Sequence, residues 1–183
     1  MTGTAPSCWV QRWSHLVPKG ARVLDVACGS GRHVRWFALR GCTVTGVDRD
    51  AAATLPLHAI AEIVTADIEN GPWPLAARQF DAVVVTNYLW RPRLHDIIDS
   101  VATGGVLICE TFAVGNETVG KPSNPDFLLL PGELLQAAQA LRVVAFEDGF
   151  EEQPERFVQR IVAVREAPGT AYPARHELAP PGG

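Results

Sequence analysis

The most constraining feature of this 183-residue chain is a short apolar run that stops at two closely spaced glycines. Residues 22–27 (RVLDVA) are typical of a buried strand, Gly29 and Gly31 follow, and an apolar pattern of helical period begins at residue 32. Glycines let the backbone approach a ligand closely, and the N–H groups of a new helix are free to bind one. The segment therefore predicts a ligand site at the carboxyl end of a strand.

The rest of the chain alternates between predicted strands and helices. Strands are expected at residues 22–27, 43–47, 60–65, 80–85, 106–110, 143–147 and 157–165, and helices at 32–40, 51–58, 92–101 and 133–141. This alternation is typical of an α/β protein with a mostly parallel sheet covered on both faces. About nine residues separate the last two strands, too few for a parallel crossover, so we predict that they form an antiparallel hairpin.

Length and composition limit the domain count and the partners. We expect one domain over residues 1–166 and a disordered tail at 167–183, which is rich in Pro, Gly and Ala. A formal net charge of −4 argues against a nucleic-acid partner, and no apolar run reaches the roughly 20 residues that span a membrane. No segment suggests export, so a cytoplasmic location is expected. The cysteines lack metal-ligand spacing and are read as free thiols, with no metal: Cys8, Cys28, Cys42 and Cys109.

Acidic residues recur where predicted strands end. Asp48, Asp67 and Glu110 follow the second, third and fifth strands, and Asp25 lies inside the first. A rim this acidic would repel a pyrophosphate but suit a cationic sulfonium. The dinucleotide fingerprint would also need a small residue at Val34.

Two of these acids have the position of nucleoside ligands. Asp48 comes nineteen residues after Gly29, where a carboxylate can accept hydrogen bonds from a ribose diol. Asp67 could accept one from an adenine amino group. The alternative is that both are plain turn acids.

The run from Leu24 to Gly31, together with Asp48, residues 66–67 and the segment 80–84 (FDAVV), resembles the ordered motifs of class I S-adenosylmethionine-dependent methyltransferases. The resemblance covers roughly residues 22–165. It implies a Rossmann-like three-layer αβα sandwich with a seven-stranded, mostly parallel sheet and an antiparallel terminal hairpin. The compact length is similar to that of small bacterial tellurite-resistance or thiopurine-type methyltransferases.

The resemblance also implies S-adenosyl-L-methionine as the cofactor. Gly29 and Gly31 would approach its methionine part, Asp48 would hold the ribose, and Asp67 with Ile68 would frame the adenine. Ala27 stands where the family often has glycine. The full set of predicted cofactor-binding residues is Asp25, Ala27, Gly29, Gly31, Asp48, Arg49, Asp67, Ile68 and Asn87.

Residues 86–90 (TNYLW) follow the fourth strand, where the family places groups next to the transferable methyl. Asn87 and Tyr88 are predicted to orient an acceptor, and Tyr88 or Trp90 to face the sulfonium through a cation–π contact, so that Tyr88 and Trp90 are assigned to the substrate site. Alternatively, the segment forms a wall of the adenine pocket. This segment is not the D/N-P-P-Y motif of methyltransferases that act on amino groups of nucleic acids or glutamine.

A connection from residue 111 to 132 has no periodicity and is too long for a simple connector. We predict that this loop builds the acceptor pocket, with Asn116, Glu117 and Lys121 facing the acceptor. The competing interpretation is a mobile surface loop without a role.

Two further features favour structural roles. Trp9 and Trp13 lie on one helical face, which predicts a helix packed on the sheet or, alternatively, a lid over the cofactor. The histidines are interpreted as structural or solvated, with His33 nearest the pocket. No catalytic residue is assigned.

The predicted function is methyl transfer from S-adenosylmethionine to a small-molecule acceptor. Without a clear general base, a thiolate, a selenolate or a free amine is the favoured acceptor group. The alternatives are a non-catalytic S-adenosylmethionine-binding module and, less favoured, a nicotinamide-dependent oxidoreductase. The sequence gives no oligomeric state.

Overall fold

The computed structural model describes residues 5–169, 172 and 174–178. A seven-stranded sheet runs through it in the order β3-β2-β1-β4-β5-β7-β6, and the predicted α/β fold class is confirmed. The strands are β1 Arg22–Val26, β2 Thr43–Asp48, β3 Glu62–Thr65, β4 Phe80–Thr86, β5 Val101–Phe112, β6 Arg142–Glu152 and β7 Glu155–Val164. The helices are α1 Cys8–Trp13, α2 Arg32–Leu39, α3 Ala51–Thr54, α4 Leu94–Asp99 and α5 Glu133–Ala137.

Strands β1 to β5 pair in parallel, whereas β7 pairs antiparallel with both β5 and β6. The strand order reverses direction at β1, which places β1 and β4 side by side in the middle of the sheet. Ligand sites of open α/β sheets lie at the carboxyl ends of the strands beside such a reversal. The fold therefore directs attention to the ends of β1, β2 and β4.

The sheet separates two apolar cores, which makes the three layers. Helices α1 and α2 pack on one face, where Trp13 and Phe37 are buried, and α4 and α5 pack on the other, where Ile97 and Leu134 are buried. Central strands are buried on both faces and therefore read as continuous apolar runs rather than alternating ones.

The N-terminal tryptophans belong to the core. Trp9 and Trp13 are only 3% and 2% exposed, and their rings lie 5.6 Å apart against the sheet. The prediction that this helix packs on the sheet is therefore confirmed, rather than the alternative of a lid over the cofactor.

Several element boundaries differ from prediction, and two of these differences concern long strands. The hairpin is joined by residues 153–154 rather than by about nine residues, because β6 and β7 stay paired beyond the predicted strand ends. In this extension Phe150 faces Phe157 and Glu151 faces Arg156. Strand β5 begins at Val101, the last residue of the helix predicted at 92–101, and a register shift against β4 absorbs the glycines at 104–105.

Two expectations lie partly or wholly beyond these observations. The single domain over 1–166 stays a prediction. So does disorder of the tail at 167–183, of which residues 170–171, 173 and 179–183 lie outside the described residues. Among the helices that are described, none has the length and apolar character needed to cross a membrane.

The two glycines of the β1–α2 turn differ in what surrounds them, which yields a matched pair of variants. Both have left-handed backbones (φ 53° at Gly29, 78° at Gly31), but a Cβ on Gly31 would lie 2.4 Å from the buried Leu57 side chain, whereas one on Gly29 would meet nothing within 4 Å. Gly29→Ala should lower the free energy of unfolding by roughly 1–2 kcal/mol through backbone strain, and Gly31→Ala by roughly 2–5 kcal/mol through strain plus overpacking. Urea denaturation of both variants measures this. Equal losses would contradict the Leu57 contact.

Candidate functional site

Two hollows open at the carboxyl ends of the strands, one on each side of the turn that follows β1. The first, the Asp48 hollow, has a volume of about 200 Å³ and is lined by Ala27, Asp48, Arg49, Ala66, Asp67, Ile68, Glu69 and Tyr88. The second, the Arg32 cleft, has a volume of about 530 Å³ and is lined by residues 27–30, Arg32, His33, Thr86, Asn87, Phe112, Asn116, Gly120, Lys121, Pro154, Glu155 and Arg156. Ala27 lines both, so the turn is their common wall.

The turn holds a left-handed backbone at three of its five residues, Ala27, Gly29 and Gly31. It is tied to β2 because the Cys28 N–H donates to the Val47 carbonyl (3.1 Å) and the Gly29 N–H donates to Asp48 Oδ2 (2.7 Å). The left-handed φ of 52° explains why glycine suits position 27, and alanine there carries some backbone strain.

Asp48 and Asp67 differ in how much of each carboxylate is free for a ligand. Asp48 accepts one backbone N–H on each oxygen, from Gly29 and from Asp50 (2.9 Å), which leaves a further lone pair on each. Asp67 accepts from the Asn70 side chain and from the N–H groups of Glu69 and Asn70, and these bonds hold the pKa of Asp67 below its usual value. The Asp67 carboxylate is thus engaged in its own turn, and its predicted contact with adenine stays a prediction.

Tyr88 belongs to the Asp48 hollow rather than to the Arg32 cleft. Its hydroxyl is buried without a hydrogen-bond partner among the described residues, and burial raises the pKa of Tyr88. A buried, unpaired hydroxyl costs free energy until a ligand or water satisfies it. This position favours the alternative interpretation of Tyr88, a wall of the adenine pocket.

Arg93 secures the outer edge of the Asp48 hollow, and sequence reasoning missed it. Its guanidinium donates to the carbonyls of Ile68 (2.9 Å) and Gly71 and to Asp96 Oδ2 (2.8 Å). One side chain of the segment before α4 thereby fixes the 67–71 turn. Nothing in the sequence around Arg93 distinguishes it from other arginines at helix starts, because its partners lie far away along the chain.

Asp25 and His33 form a buried polar pair behind the turn. Asp25 Oδ1 lies 3.9 Å from His33 Nδ1, while Asp25 Oδ2 has no partner in the described chain. Burial raises the pKa of Asp25 to about 7, against the attraction of Arg32. Asp25 lines neither hollow, so its predicted contact with the cofactor is not direct in this geometry.

His33 is neutral for a geometric reason. Its Nε2 accepts the Ser7 backbone N–H (3.1 Å), so the ring proton lies on Nδ1, which faces the Thr86 hydroxyl at 3.5 Å. Burial, aided by Arg32, lowers the pKa of His33 to about 3. The partner of His33 comes from a residue 26 positions away, which is why no neighbouring sequence signal announced it.

The strand-end pattern predicted that Glu110 would lie free at the rim, but it does not. It lies inside β5, is 1% exposed, and accepts hydrogen bonds from Arg160, Arg156 and the Ser7 hydroxyl. The rim is therefore not uniformly acidic. Asp48, Asp67 and Glu69 face Arg49 in one hollow, whereas Arg32, Lys121 and Arg156 face Glu155 in the other.

The long loop is ordered and reaches the Arg32 cleft. Leu128 and Leu129 are buried, and Ala113 bridges to Leu129. Asn116, 1% exposed, donates to the Pro122 carbonyl (3.0 Å) and accepts the Phe157 N–H (3.3 Å). Buried leucines anchor the loop beside the cleft.

Of the five residues predicted to bind the acceptor, Asn116 and Lys121 line the Arg32 cleft. Glu117 does not; it turns back to accept the Gly115 N–H at 2.8 Å, because it caps its own turn. Trp90 does not either, because it follows Leu89 into the apolar space under the sheet beside Leu94 and Leu134.

Comparisons with known proteins agree with this architecture. Residues 23–104 match the family described as a methyltransferase domain. Malonyl-[acyl-carrier protein] O-methyltransferase of Enterobacter lignolyticus is 38% identical over 101 residues, covering 51% of this chain and 39% of that protein. A tRNA U34 carboxymethyltransferase of Shewanella loihica is 30% identical over 139 residues, covering 68% of this chain and 40% of that protein.

Among solved structures, TehB from Haemophilus influenzae has a TM-score of 0.72 at 19% identity, covering 90% of this chain and 64% of that one. The predicted resemblance is confirmed: residues 23–104 match a family described as a methyltransferase domain, and the chain has the fold of TehB. The chain spans about two fifths of the length of the curated relatives that it matches, 39% and 40% in the two cases above.

The raised pKa of Asp25 gives the stability of the protein a specific pH dependence. A carboxyl whose pKa is 3.8 when unfolded and about 7 when folded stabilises the fold at low pH, and this contribution is lost as pH rises between those values. Asn imitates the protonated carboxyl and does not titrate. Asp25→Asn should therefore gain stability relative to the wild type from about pH 4 to pH 7, by up to about 4 kcal/mol.

Urea denaturation of both proteins across that range measures the difference, from which the common contribution of His33 drops out. A stability difference that does not change with pH would mean that Asp25 is ionised in the folded protein.

Proposed function

We propose that this protein is an S-adenosylmethionine-dependent methyltransferase that acts on a small molecule. The adenosine lies in the Asp48 hollow, the methionine part follows the β1–α2 turn towards Asn87, and the acceptor occupies the Arg32 cleft. The observation that carries this proposal is the shared wall: a ligand that crosses Ala27 has one end in each hollow.

The chemistry of the residues fits the proposed cofactor. Asp48 keeps free lone pairs for ribose hydroxyls, and the space beside Gly29 is open where a Cβ would stand. Ile68 supplies an apolar surface for a base, and the unpaired Tyr88 hydroxyl offers a hydrogen bond. The three acids of this hollow also suit a ligand that carries positive charge.

When bound, the cofactor supplies an activated methyl group, and the protein has to bring an acceptor lone pair into line with it. His33 is the only histidine among the described residues that line the cleft, and both of its nitrogens already face partners. The described lining therefore offers no free imidazole base. Acceptors that are already anionic or neutral nucleophiles need none. The chain's task is then to position the reactants and to exclude water.

The relatives leave the acceptor open, since their printed names refer to a malonyl-acyl carrier protein and to tRNA. We favour a small molecule because the chain has a net charge of −4, whereas nucleic-acid binding needs an extended basic surface. Four unpaired cysteines support the cytoplasm as the place of action.

Calorimetry tests the proposed cofactor and its competitors directly. S-adenosylmethionine and S-adenosylhomocysteine should bind, and NADH should not. Formation of S-adenosylhomocysteine with a panel of acceptors then separates an enzyme from a module that only binds the cofactor. Binding of NADH without binding of S-adenosylhomocysteine would return the nicotinamide alternative.

Asp48→Ala should weaken S-adenosylhomocysteine binding roughly tenfold or more, because a hydrogen bond to a charged group contributes about 1.5–3 kcal/mol. The protein should remain folded, since Asp48 is half-buried at the end of its strand. Asp50→Ser is the matched control: it also removes a carboxylate, but Asp50 caps α3 through its side chain and lines neither hollow. Normal affinity in Asp48→Ala, or an equal loss in the control, would remove Asp48 from the site.

A further inference from the structure

The Arg32 cleft is lined mainly by positively charged side chains, although the chain as a whole is negatively charged. Arg32, Lys121 and Arg156 line it against one carboxylate, Glu155, whereas the whole chain has a net charge of −4. Glu110 lies close to the cleft but is already paired with Arg160 and Arg156. Glu110 therefore offsets Arg156 in part, and it offsets neither Arg32 nor Lys121.

The three cations differ in the partners that they already contact. Arg156 divides its guanidinium between Glu151 and, at 3.5 Å, Glu110. Arg32 donates to the neutral Thr86 hydroxyl at 3.2 Å. Within the described part of the chain, neither Arg32 nor Lys121 has a carboxylate within ion-pair distance.

The three cations reach the cleft from different elements. Arg32 starts α2, directly after the turn along which the cofactor is proposed to lie. Lys121 belongs to the long loop and Arg156 to β7, so both come from the elements that close the cleft on the acceptor's side. A sulfonium beside these cations would be repelled unless an anion lay between them.

We propose that the acceptor is a small carboxylic acid, and that Lys121 and Arg156 hold its carboxylate while Phe112 contacts its carbon skeleton. A carboxylate oxygen would receive the methyl group to form a methyl ester, with S-adenosylhomocysteine as the leaving group. This inference rests on the proposed methyltransferase function and adds the substrate class. A volume of about 530 Å³ is in the range of small-molecule sites. The carboxylate offsets both the cleft and the cofactor, so binding of each partner favours the other.

Matched pairs of acceptors test the charge requirement. Malonate, succinate, hexanoate and benzoate are offered with S-adenosylmethionine, each beside its amide, and S-adenosylhomocysteine release is measured. At least one acid should turn over, with kcat/KM roughly tenfold or more above that of its amide. Turnover of amides equal to or better than that of the acids would overturn the proposal.

The chain provides a matched control for Lys121, since Lys19 is its one other lysine and lies exposed away from both hollows. Lys121→Gln should raise KM for the acid roughly tenfold with little change in S-adenosylhomocysteine affinity, Lys121→Arg should restore most of it, and Lys19→Gln should match the wild type. An unchanged KM in Lys121→Gln would contradict the assignment.

Amine acetylation decides the case in which no acid of the panel is turned over. In protein saturated with S-adenosylhomocysteine, malonate or benzoate should slow acetylation of Lys121 and leave Lys19 unchanged, as read by mass spectrometry. Equal rates at Lys121 with and without every acid would overturn the proposal. Calorimetry comes first: absence of S-adenosylhomocysteine binding defeats the methyltransferase function itself, whereas binding without any acid effect defeats only this inference.

Discussion

The buried carboxylate of Glu110 is the constraint around which the site is arranged. It is 1% exposed at the carboxyl end of the central strand β5, where an unpaired charge would be very costly. Arg160 and Arg156 reach it from β7, and the Ser7 hydroxyl reaches it from the first turn of α1. This one group therefore fixes both the hairpin and the N-terminal helix against the rim. Ser7 in turn donates its N–H to His33, which connects the same network to the β1–α2 turn.

The arrangement divides the rim by charge. The charge of Glu110 is balanced by arginines within the sheet. The other acids of the rim line the Asp48 hollow, and the other cations line the Arg32 cleft. In the proposed complex, the cationic cofactor faces the acidic hollow and the anionic acceptor faces the cationic cleft, with the turn at Ala27 between them. The Asp48 carboxylate supports this division physically, since it holds the Gly29 N–H and so sets the position of the turn.

Local sequence signals predicted the framework and half of the site. Apolar runs of a doubly covered sheet located every strand, and strand-end reasoning brought Asp48, Asp67 and Ile68 into one hollow, because the carboxyl ends of parallel strands meet at one edge. What the sequence missed depends on long-range partners. Arg93 acts on carbonyls 22 and 25 residues away, Glu110 is paired by arginines of another strand, and the hairpin extension mixes polar, glycine and aromatic residues. Glu117, expected to face an acceptor, accepts the Gly115 N–H instead, because a loop acid caps its own turn as readily as it faces a ligand.

A crystal structure of the protein with S-adenosylhomocysteine tests the central claim most directly, that one ligand crosses the turn from the acidic hollow to the cationic cleft. The account predicts the adenosine in the Asp48 hollow, ribose hydroxyls within hydrogen-bond distance of Asp48, and the sulfur on the cleft side of Ala27. Adenosine seated in the Arg32 cleft, or a ligand bound away from the β1–α2 turn, would contradict it.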